Sequence, residues 1–264
     1  KGFLPKYIPH VYAVHKKVNV ERILSFEIDD ITRADLISVI SRINTLYMIN
    51  NAGSGHIGTS FSSMDLISYI FFKFKITNEK QTDLFFSSKG HDAPAIYSIM
   101  SIFELIEFDK IHSLRRLNGL PGHPDIETDG IITNTGSLGM GISKAKGFIQ
   151  SSRLEGINRN VFVLLGDGEL QEGQIWESLR SASNDRMGEL YIIVDNNKIQ
   201  SDNWVELTSH NDNLTRKFES FGCKVAEING HDFSEIQYTF ENLQHINDKP
   251  KVIIANTIKG NGVS

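Results

Sequence analysis

Two short polar segments have the composition of a metal and diphosphate site. They are Gly166-Asp167-Gly168 and, further along the chain, Asn196-Asn197. Asp167 offers a carboxylate oxygen and Asn197 an amide oxygen, and Mg²⁺ takes a few such protein oxygens and completes its shell with phosphates and water. The two glycines let backbone amides approach a phosphate closely. The pair predicts a site for a cation and a diphosphate, against the alternative of two unrelated turns.

The elements around these segments predict how they meet. Residues 161–165 and 190–194 are apolar runs typical of buried strands, and residues 171–186 have a helical pattern between them. Each polar segment therefore follows a strand of one β-α-β unit. Ligands of open parallel sheets bind outside the carboxyl ends of the strands, so we expect the two segments to face one site.

Four Gly-His dipeptides, at His56, His91, His123 and His231, are a second group of candidates. A glycine before a histidine lets the imidazole ring approach a ligand without an obstructing side chain. The alternative for each is a loop histidine that caps a helix or bonds a backbone carbonyl. For His231, which follows a predicted strand, we favour that structural role.

Composition restricts the class of protein. The chain has 264 residues, 40% hydrophobic and 22% charged, which suits one large α/β domain. A net charge of −5 argues against a nucleic-acid partner. The single cysteine, Cys223, excludes an internal disulfide and favours a reducing, cytoplasmic location. No apolar run is long enough for a signal peptide or a membrane span, so we expect no membrane partner.

The order of predicted elements indicates the fold class. Residues 1–31 are expected to form a basic N-terminal arm, and residues 32–264 one domain. Helices alternate with strands, which predicts an α/β fold with a mainly parallel sheet and helices on both faces. Besides the β-α-β unit, the predicted helices are 32–46 (capped by Thr32), 62–74, 92–106, 139–151, 214–221 and 233–243 (entered through Asp232 or Ser234), and the predicted strands are 131–132, 224–228 and 251–256.

The ordered motifs, from about residue 32 to residue 264, resemble the N-terminal half of transketolases, the half that binds the diphosphate of thiamine diphosphate. The motifs are Gly53-Ser54-Gly55-His56, Ser88-Lys89-Gly90-His91, Pro121-Gly122-His123-Pro124, Gly136-Ser137-Leu138-Gly139, residues 166–173 and residues 195–199. The resemblance implies the thiamine-diphosphate-binding fold. It also implies transfer of a two-carbon ketol unit from a ketose phosphate to an aldose.

The resemblance implies roles for three histidines. In transketolases the histidine that matches His56 reaches the sugar substrate, and the histidine that matches His91 touches the cofactor diphosphate. The histidine that matches His123 contacts the donor ketose near its carbonyl and first hydroxyl. His56 and His123 are therefore the candidate catalytic residues, since imidazole can move protons near neutral pH.

A loop is also implied to contact the cofactor. Gly136, Ser137 and Leu138 match the loop that lies against the aminopyrimidine and central region of thiamine diphosphate. Family members commonly have proline where Ser137 stands. We expect the backbone contact to survive this change and the loop to be less stiff.

The remaining implied residues belong to the metal and the interface. Gly168 and Asn197 join the cofactor-binding set, and Glu172 matches a glutamate at the subunit interface near the cofactor. Ile199 would give only its backbone carbonyl to the metal, beside Asp167 and Asn197. Mg²⁺ is the expected ion, with Ca²⁺ or Mn²⁺ as possible substitutes.

One part of the family's machinery resembles nothing in this chain. The glutamate that activates the cofactor ring belongs to the following, pyrimidine-binding half, and a family histidine lies beyond Ser264. We expect this chain alone to bind metal and diphosphate without turning over substrate. Activity should need a C-terminal pyrimidine-binding half, in the same polypeptide or as a second subunit, giving a dimer or an α2β2 assembly.

Other functions remain as alternatives. The same cofactor serves 1-deoxyxylulose-5-phosphate synthase, dihydroxyacetone synthase and the α subunit of 2-oxo acid dehydrogenases, but the motifs ending in His91 and Pro124 favour transketolase. A noncatalytic cofactor-binding subunit is a further alternative. The sugar phosphate substrates are open, and a sulfonated or branched sugar stays among them. Arg115 and Arg116 are candidates for binding the substrate phosphate, or a solvated helix face.

Overall fold

A computed structural model describes residues 25–77, 79–201, 203–209 and 213–263. Most of the predicted N-terminal arm lies outside these residues. The α-helices are α1 Asp30–Ala52, α2 Ile57–Ser62, α3 Met64–Lys73, α4 Ala93–Ile102, α5 Gly141–Leu154, α6 Gly173–Asn184, α7 Val205–Thr208, α8 Leu214–Ser220 and α9 Phe233–Leu243, with 3-10 turns at Phe108–Ser113 and Gly168–Gln171. The strands are β1 Leu84–Ser87, β2 Val161–Gly166, β3 Leu190–Asn196, β4 Ile199–Gln200, β5 Asn203–Trp204, β6 Lys224–Asn229 and β7 Lys251–Asn256.

The central sheet is parallel and is covered on both faces. Its strand order is β1-β2-β3-β7-β6, and every neighbouring pair is parallel. Along β2, Phe162 and Leu164 pack with α1, α3, α4 and α9, whereas Val161 and Val163 pack with α5, α6 and α8 on the other face. Both faces are buried because parallel crossovers place helices on each. The predicted fold class is confirmed.

The register brings the ends of the central strands to one level. Gly166 pairs with Asp195, which in turn pairs with Ala255 of β7. The segments that follow β2 and β3 therefore leave the sheet side by side. Among the described residues, no helix combines the length and the hydrophobicity that a membrane span needs.

One predicted strand is wrong, and one strand of the sheet was not predicted. Residues 131–132 form no strand; Ile131 N–H donates to Thr128 O in a turn instead. The strand at one edge of the sheet is β1, which was not predicted because it has only four residues. A run this short, next to a glycine-rich motif, gives almost no periodic signal.

Helix ends also differ from their predicted positions. Helix α1 is capped by Asp29, whose carboxylate accepts from Thr32 N at 2.9 Å, so Thr32 lies inside the first turn. The helix predicted to reach residue 106 ends at Ile102, and Glu104 follows with a φ of 58° that a right-handed helix excludes. The predicted entry of α9 through Asp232 is confirmed, because its carboxylate accepts from Ser234 N.

Candidate functional site

Asp167 and Asn197 meet at the carboxyl ends of β2 and β3. Asp167 is buried, and its two carboxylate oxygens accept from Gly168 N at 2.8 Å and from Lys198 N at 2.5 Å. Burial and the nearby charge of Asp195 raise the pKa of Asp167. The loop after β3 is thus tied to the loop after β2 through the buried Asp167 carboxylate.

The orientation of Asn197 is determined by its neighbours. Its Nδ2 donates to Asp195 Oδ2 at 3.2 Å and to Ser62 Oγ at 3.3 Å, and its Oδ1 accepts from Ile199 N at 3.1 Å. These bonds direct the amide oxygen away from the buried carboxylate. The side chain is 8% exposed, so little rotational freedom remains.

The donor chemistry fits a hard cation. One carboxylate, one amide oxygen and one backbone carbonyl are an oxygen set that Mg²⁺ completes with phosphate and water. No group of three or more His, Cys, Asp or Glu side chains in the described part of the chain could hold a metal. Such a group is not required here, since the set contains one carboxylate. The third predicted ligand, the Ile199 carbonyl, accepts from Lys259 Nζ at 3.2 Å, so it already faces a positive charge.

These residues line a cavity of about 440 Å³. That size is in the range of small-molecule and cofactor sites. The cavity contains most of the residues that the sequence analysis selected. They are His56, His91, Leu138, Asp167, Gly168, Glu172, Asn197 and Ile199.

Two of the histidines form a pair at this cavity. The ring centroids of His56 and His91 are 5.3 Å apart, edge to face. His91 Nδ1 donates to Lys89 O at 2.9 Å, which leaves Nε2 for a ligand. Burial is the main cause that lowers the pKa of each ring, so both are neutral at neutral pH.

His123 lies beside the cavity rather than in its wall. A Cβ at Gly136 would lie 2.8 Å from His123 Cδ2, and Gly136 has a φ of 106°. Only glycine permits this close approach of the ring to the loop. His123 is exposed, as is Ser137, which also lies outside the cavity lining.

A buried ion pair beneath the cavity was missed from the sequence. Lys89 Nζ lies 2.9 Å from Asp195 Oδ2 and 3.4 Å from Asp92 Oδ2, and it donates to hydroxyls of Thr59 and Ser63. Lys89 is 1% exposed and Asp195 is 0% exposed. The available signal was a charged residue at the end of an apolar strand, since such a residue is buried only with a partner.

Glu169 was also missed, although it lies in a quoted motif. Its carboxylate accepts from Gly139 N at 2.9 Å, from Gly166 N at 3.2 Å and from the Ser88 hydroxyl. Burial raises its pKa despite these bonds. One side chain therefore joins three loops of the site: the one after β1, the one before α5 and the one after β2.

The structure also places the remaining candidates, His231, Arg115 and Arg116. His231 Nε2 accepts from Ile258 N at 2.8 Å, so its Nδ1 carries the proton that is donated to Asp65 Oδ2 at 2.7 Å. His231 is thus a structural bridge, in the role favoured from the sequence.

Arg115 and Arg116 lie in turns rather than on a helix face, and Arg115 Nε would lie 3.0 Å from a Cβ at Gly122 of the His123 loop.

The fold and site define a thiamine-diphosphate-binding α/β protein, and comparison with known proteins agrees. The family model described as "Transketolase, thiamine diphosphate binding domain" matches residues 32–264. The structure resembles transketolase from Campylobacter jejuni, with a TM-score of 0.79 and 30% identity, over 88% of this chain and 38% of that chain. Transketolase from Leishmania mexicana gives a TM-score of 0.80 at 26% identity, over 90% of this chain and 38% of that chain.

Sequence relatives include separate subunits. The chain is 35% identical over 222 residues to one subunit of the apulose-4-phosphate transketolase of Actinobacillus succinogenes, covering 81% of this chain and 80% of that protein. It is 34% identical over 227 residues to the SqwG subunit of the 6-deoxy-6-sulfo-D-fructose transketolase of Clostridium sp. strain MSTE9, covering 83% and 82%. It is 30% identical to human transketolase over 84% of this chain but 36% of that protein.

The chain therefore belongs to the transketolase family and corresponds to its N-terminal, thiamine-diphosphate-binding half. It spans just over a third of the length of the full-length transketolases that it matches. It covers 80% and 82% of the two relatives that are named as subunits.

Proposed function

We propose that this chain is the diphosphate-binding subunit of a two-subunit transketolase-type enzyme. The observation that carries the proposal is the meeting of Asp167, Asn197 and the His56–His91 pair at one cavity above the carboxyl ends of parallel strands. Catalysis would need a pyrimidine-binding partner, and the proposed assembly is α2β2. The proposed location of the assembly is the cytoplasm.

The cavity can hold the charged end of the cofactor. Asp167, Asn197 and the Ile199 carbonyl would bind Mg²⁺, or Ca²⁺ or Mn²⁺ in its place, and the ion would compensate the buried Asp167 carboxylate. His91 would donate to the diphosphate from Nε2 after taking up a proton or by exchanging its tautomer. Lys259 reaches the same wall and would add a positive charge next to the phosphates.

The other residues would surround the reacting end. Thiamine diphosphate, when bound, supplies the carbon nucleophile and electron sink for cleavage of the ketose. Leu138 lies in the wall and Gly136 contacts the His123 ring, so their loop would support the middle of the cofactor. His56, neutral because burial lowers its pKa, would accept or deliver a proton at the sugar, and His123 would hold sugar hydroxyls.

The donor is proposed to be a ketose with an anionic end. Two relatives are named for apulose 4-phosphate and 6-deoxy-6-sulfo-D-fructose, which carry a phosphate and a sulfonate. Arg115 lies against the loop that carries His123, and its charge contributes to the lowered pKa of His56. This guanidinium is therefore a candidate for recognising the anionic end of the substrate.

The test is ketol transfer with thiamine diphosphate and Mg²⁺, run with this chain alone and with a candidate pyrimidine-binding subunit. The donors are xylulose 5-phosphate, apulose 4-phosphate and 6-deoxy-6-sulfo-D-fructose, each with an aldose phosphate acceptor. Transfer is expected only in the mixture. Turnover by this chain alone would refute the need for a partner, and calorimetry showing no cofactor binding with the partner and Mg²⁺ present would refute the cofactor site.

A variant separates an enzyme from a noncatalytic subunit. His123→Asn should lower transfer by about 100-fold or more in the mixture while the Kd for thiamine diphosphate changes little. His245→Asn, at an exposed histidine that follows α9, is the matched control. If His123→Asn and His245→Asn have equal activity, the role assigned to His123 is wrong.

A further inference from the structure

A second cavity, of about 220 Å³, lies along the outer edge of β1, where the described residues add no further strand to the sheet. Its walls come from β1, from α4 and from residues 130–135. Most of the lining is apolar and includes Ile96, Met100, Leu105 and Ile131. Since an engineered cavity of about 150 Å³ in another protein holds benzene, this one has room for on the order of ten non-hydrogen atoms.

Two polar atoms in its walls lack partners. Arg159 Nε and Thr135 Oγ1 are buried, and neither forms a hydrogen bond within the described ranges. Leaving such atoms unsatisfied is costly, so native structures usually pair them with protein, water or ligand. A cavity that held only an apolar molecule would leave Arg159 Nε and Thr135 Oγ1 without hydrogen-bond partners.

The two atoms are at opposite ends of the cavity. Arg159 lies just before β2, at the amino-terminal end of the strands, whereas Thr135 directly precedes Gly136 at the carboxyl-terminal end. Between these levels run the four residues of β1, or about 10 Å of strand. The cavity therefore suits an elongated molecule with a polar group at each end.

Arg159 supplies a positive charge for an anion at this end of the cavity. The Asp83 carboxylate, in the same wall, accepts from Asn160 N and Nδ2 at 2.7 and 3.1 Å, so both of its oxygens are engaged although its negative charge remains. Lys80 pairs with Glu155 at 3.0 Å. The charge of Arg159 also acts on Glu155, but its Nε forms no hydrogen bond within the described ranges. A guanidinium can bind a carboxylate through two parallel hydrogen bonds.

We propose that this cavity binds a small monocarboxylic acid with an apolar body. The carboxylate accepts from Arg159, the body fills the space beside β1, and a hydroxyl at the far end reaches Thr135. Thr135 N donates to Pro124 O at 3.3 Å, and both residues line the cavity. A bound ligand therefore touches the segments that carry His123 and Gly136, so the site adjoins the cofactor loops without being part of them.

The probe is 3-(4-hydroxyphenyl)propionate, which has about the required length and volume. Isothermal titration calorimetry on the full chain should show binding at submillimolar Kd. The matched amide should bind about tenfold more weakly or worse, because it lacks the charge that Arg159 recognises. Equal binding of acid and amide, or no binding of the acid at millimolar concentration, would overturn the proposal.

Variants locate the binding. Arg159→Gln should weaken the acid by about tenfold and leave the amide unchanged. Thr135→Val should weaken the acid severalfold, whereas Arg180→Gln, at an exposed arginine outside the cavity, should have no effect. If Arg159→Gln and Thr135→Val both bind the acid like the unaltered chain, the site is elsewhere. If a variant does not fold, the comparison of acid and amide still decides.

Discussion

The ammonium group of Lys89 lies between two buried carboxylates, and methionine would remove its charge at nearly constant volume. Lys89 Nζ is 2.9 Å from Asp195 Oδ2 and 3.4 Å from Asp92 Oδ2. Both carboxylates are fully buried. In Lys89→Met the two negative charges stay in the protein interior without a cation, so a large loss of stability is expected.

The size of the loss follows from what remains around Asp195. Removing one partner of a buried ion pair costs about 3–5 kcal/mol. Asp195 keeps the Ser62 hydroxyl at 2.6 Å and the Thr257 hydroxyl at 2.5 Å, which stabilise its charge. We therefore expect the lower end, about 3 kcal/mol. Asp195→Asn should cost less, because Lys89 keeps Asp92 and two hydroxyl partners.

The assay is urea unfolding at neutral pH, followed by far-ultraviolet circular dichroism. Lys224→Met, at an exposed lysine of β6, is the matched control and should change the free energy of unfolding by less than about 0.5 kcal/mol. A loss below about 1 kcal/mol in Lys89→Met would mean that the pair is solvated or neutral, and the reasoning from burial would be refuted.

The pH dependence provides an independent check. Burial alone would lower the pKa of Lys89, but Asp195 and Asp92 outweigh it and raise the pKa above the ordinary 10.5. Burial alone would raise the pKa of Asp195, but Lys89, Ser62 and Thr257 outweigh it and lower the pKa below the ordinary 3.8. The ion pair therefore stabilises the folded chain fully between about pH 4 and about pH 10. This stabilisation is lost as the pH falls through the lowered pKa of Asp195 or rises through the raised pKa of Lys89. The difference in free energy of unfolding between Lys89→Met and the unaltered chain should therefore shrink below about pH 4 and above about pH 10.

Further predictions concern the metal, the histidines and the thiol. Asp167→Ala should weaken Mg²⁺-dependent binding of thiamine diphosphate by at least about tenfold in calorimetry, whereas Asp185→Ala, at an exposed site, should not; equal affinities would contradict the metal site. Because burial lowers the pKa values of His56 and His91, their NMR titration midpoints in the cofactor-free chain should lie below the ordinary 6.5, and midpoints at or above it would contradict the burial. Burial raises the pKa of Cys223 to about 12, so iodoacetamide at about pH 8 should modify it only after unfolding; fast reaction of the native chain would show an open site.

The local pattern of the sequence was enough to predict the layered α/β fold and the neighbouring positions of Asp167 and Asn197. The runs that became β2 and β3 are apolar throughout, which is typical of strands buried on both faces. Because parallel strands end at one edge, the position of Asp167 and Asn197 next to each other followed from their place after those runs. The short strand β1 and the ends of α1 and α4 could not be placed, since four residues or a single cap carry little periodicity.

Glu169 illustrates what local pattern could not supply. It stands in a glycine-rich turn where an exposed carboxylate would be ordinary, yet it accepts hydrogen bonds from Gly139, Gly166 and Ser88. Those partners come from separate loops that only the folded sheet brings together. The resemblance to transketolases pointed to the loops, but the contacts among them depend on packing.

By itself, the sequence determined which residue types stand at the strand ends, and therefore that oxygen ligands and imidazoles were available for a cation and a diphosphate. Tertiary structure decided which of them share one cavity, placing His56 beside His91 and leaving His123 against Gly136. It also decided the pairing of Lys89 with Asp195, which are 106 residues apart. The physical reason is that a charge enters the interior only with a partner, and the partner is selected by the three-dimensional packing rather than by proximity in the chain.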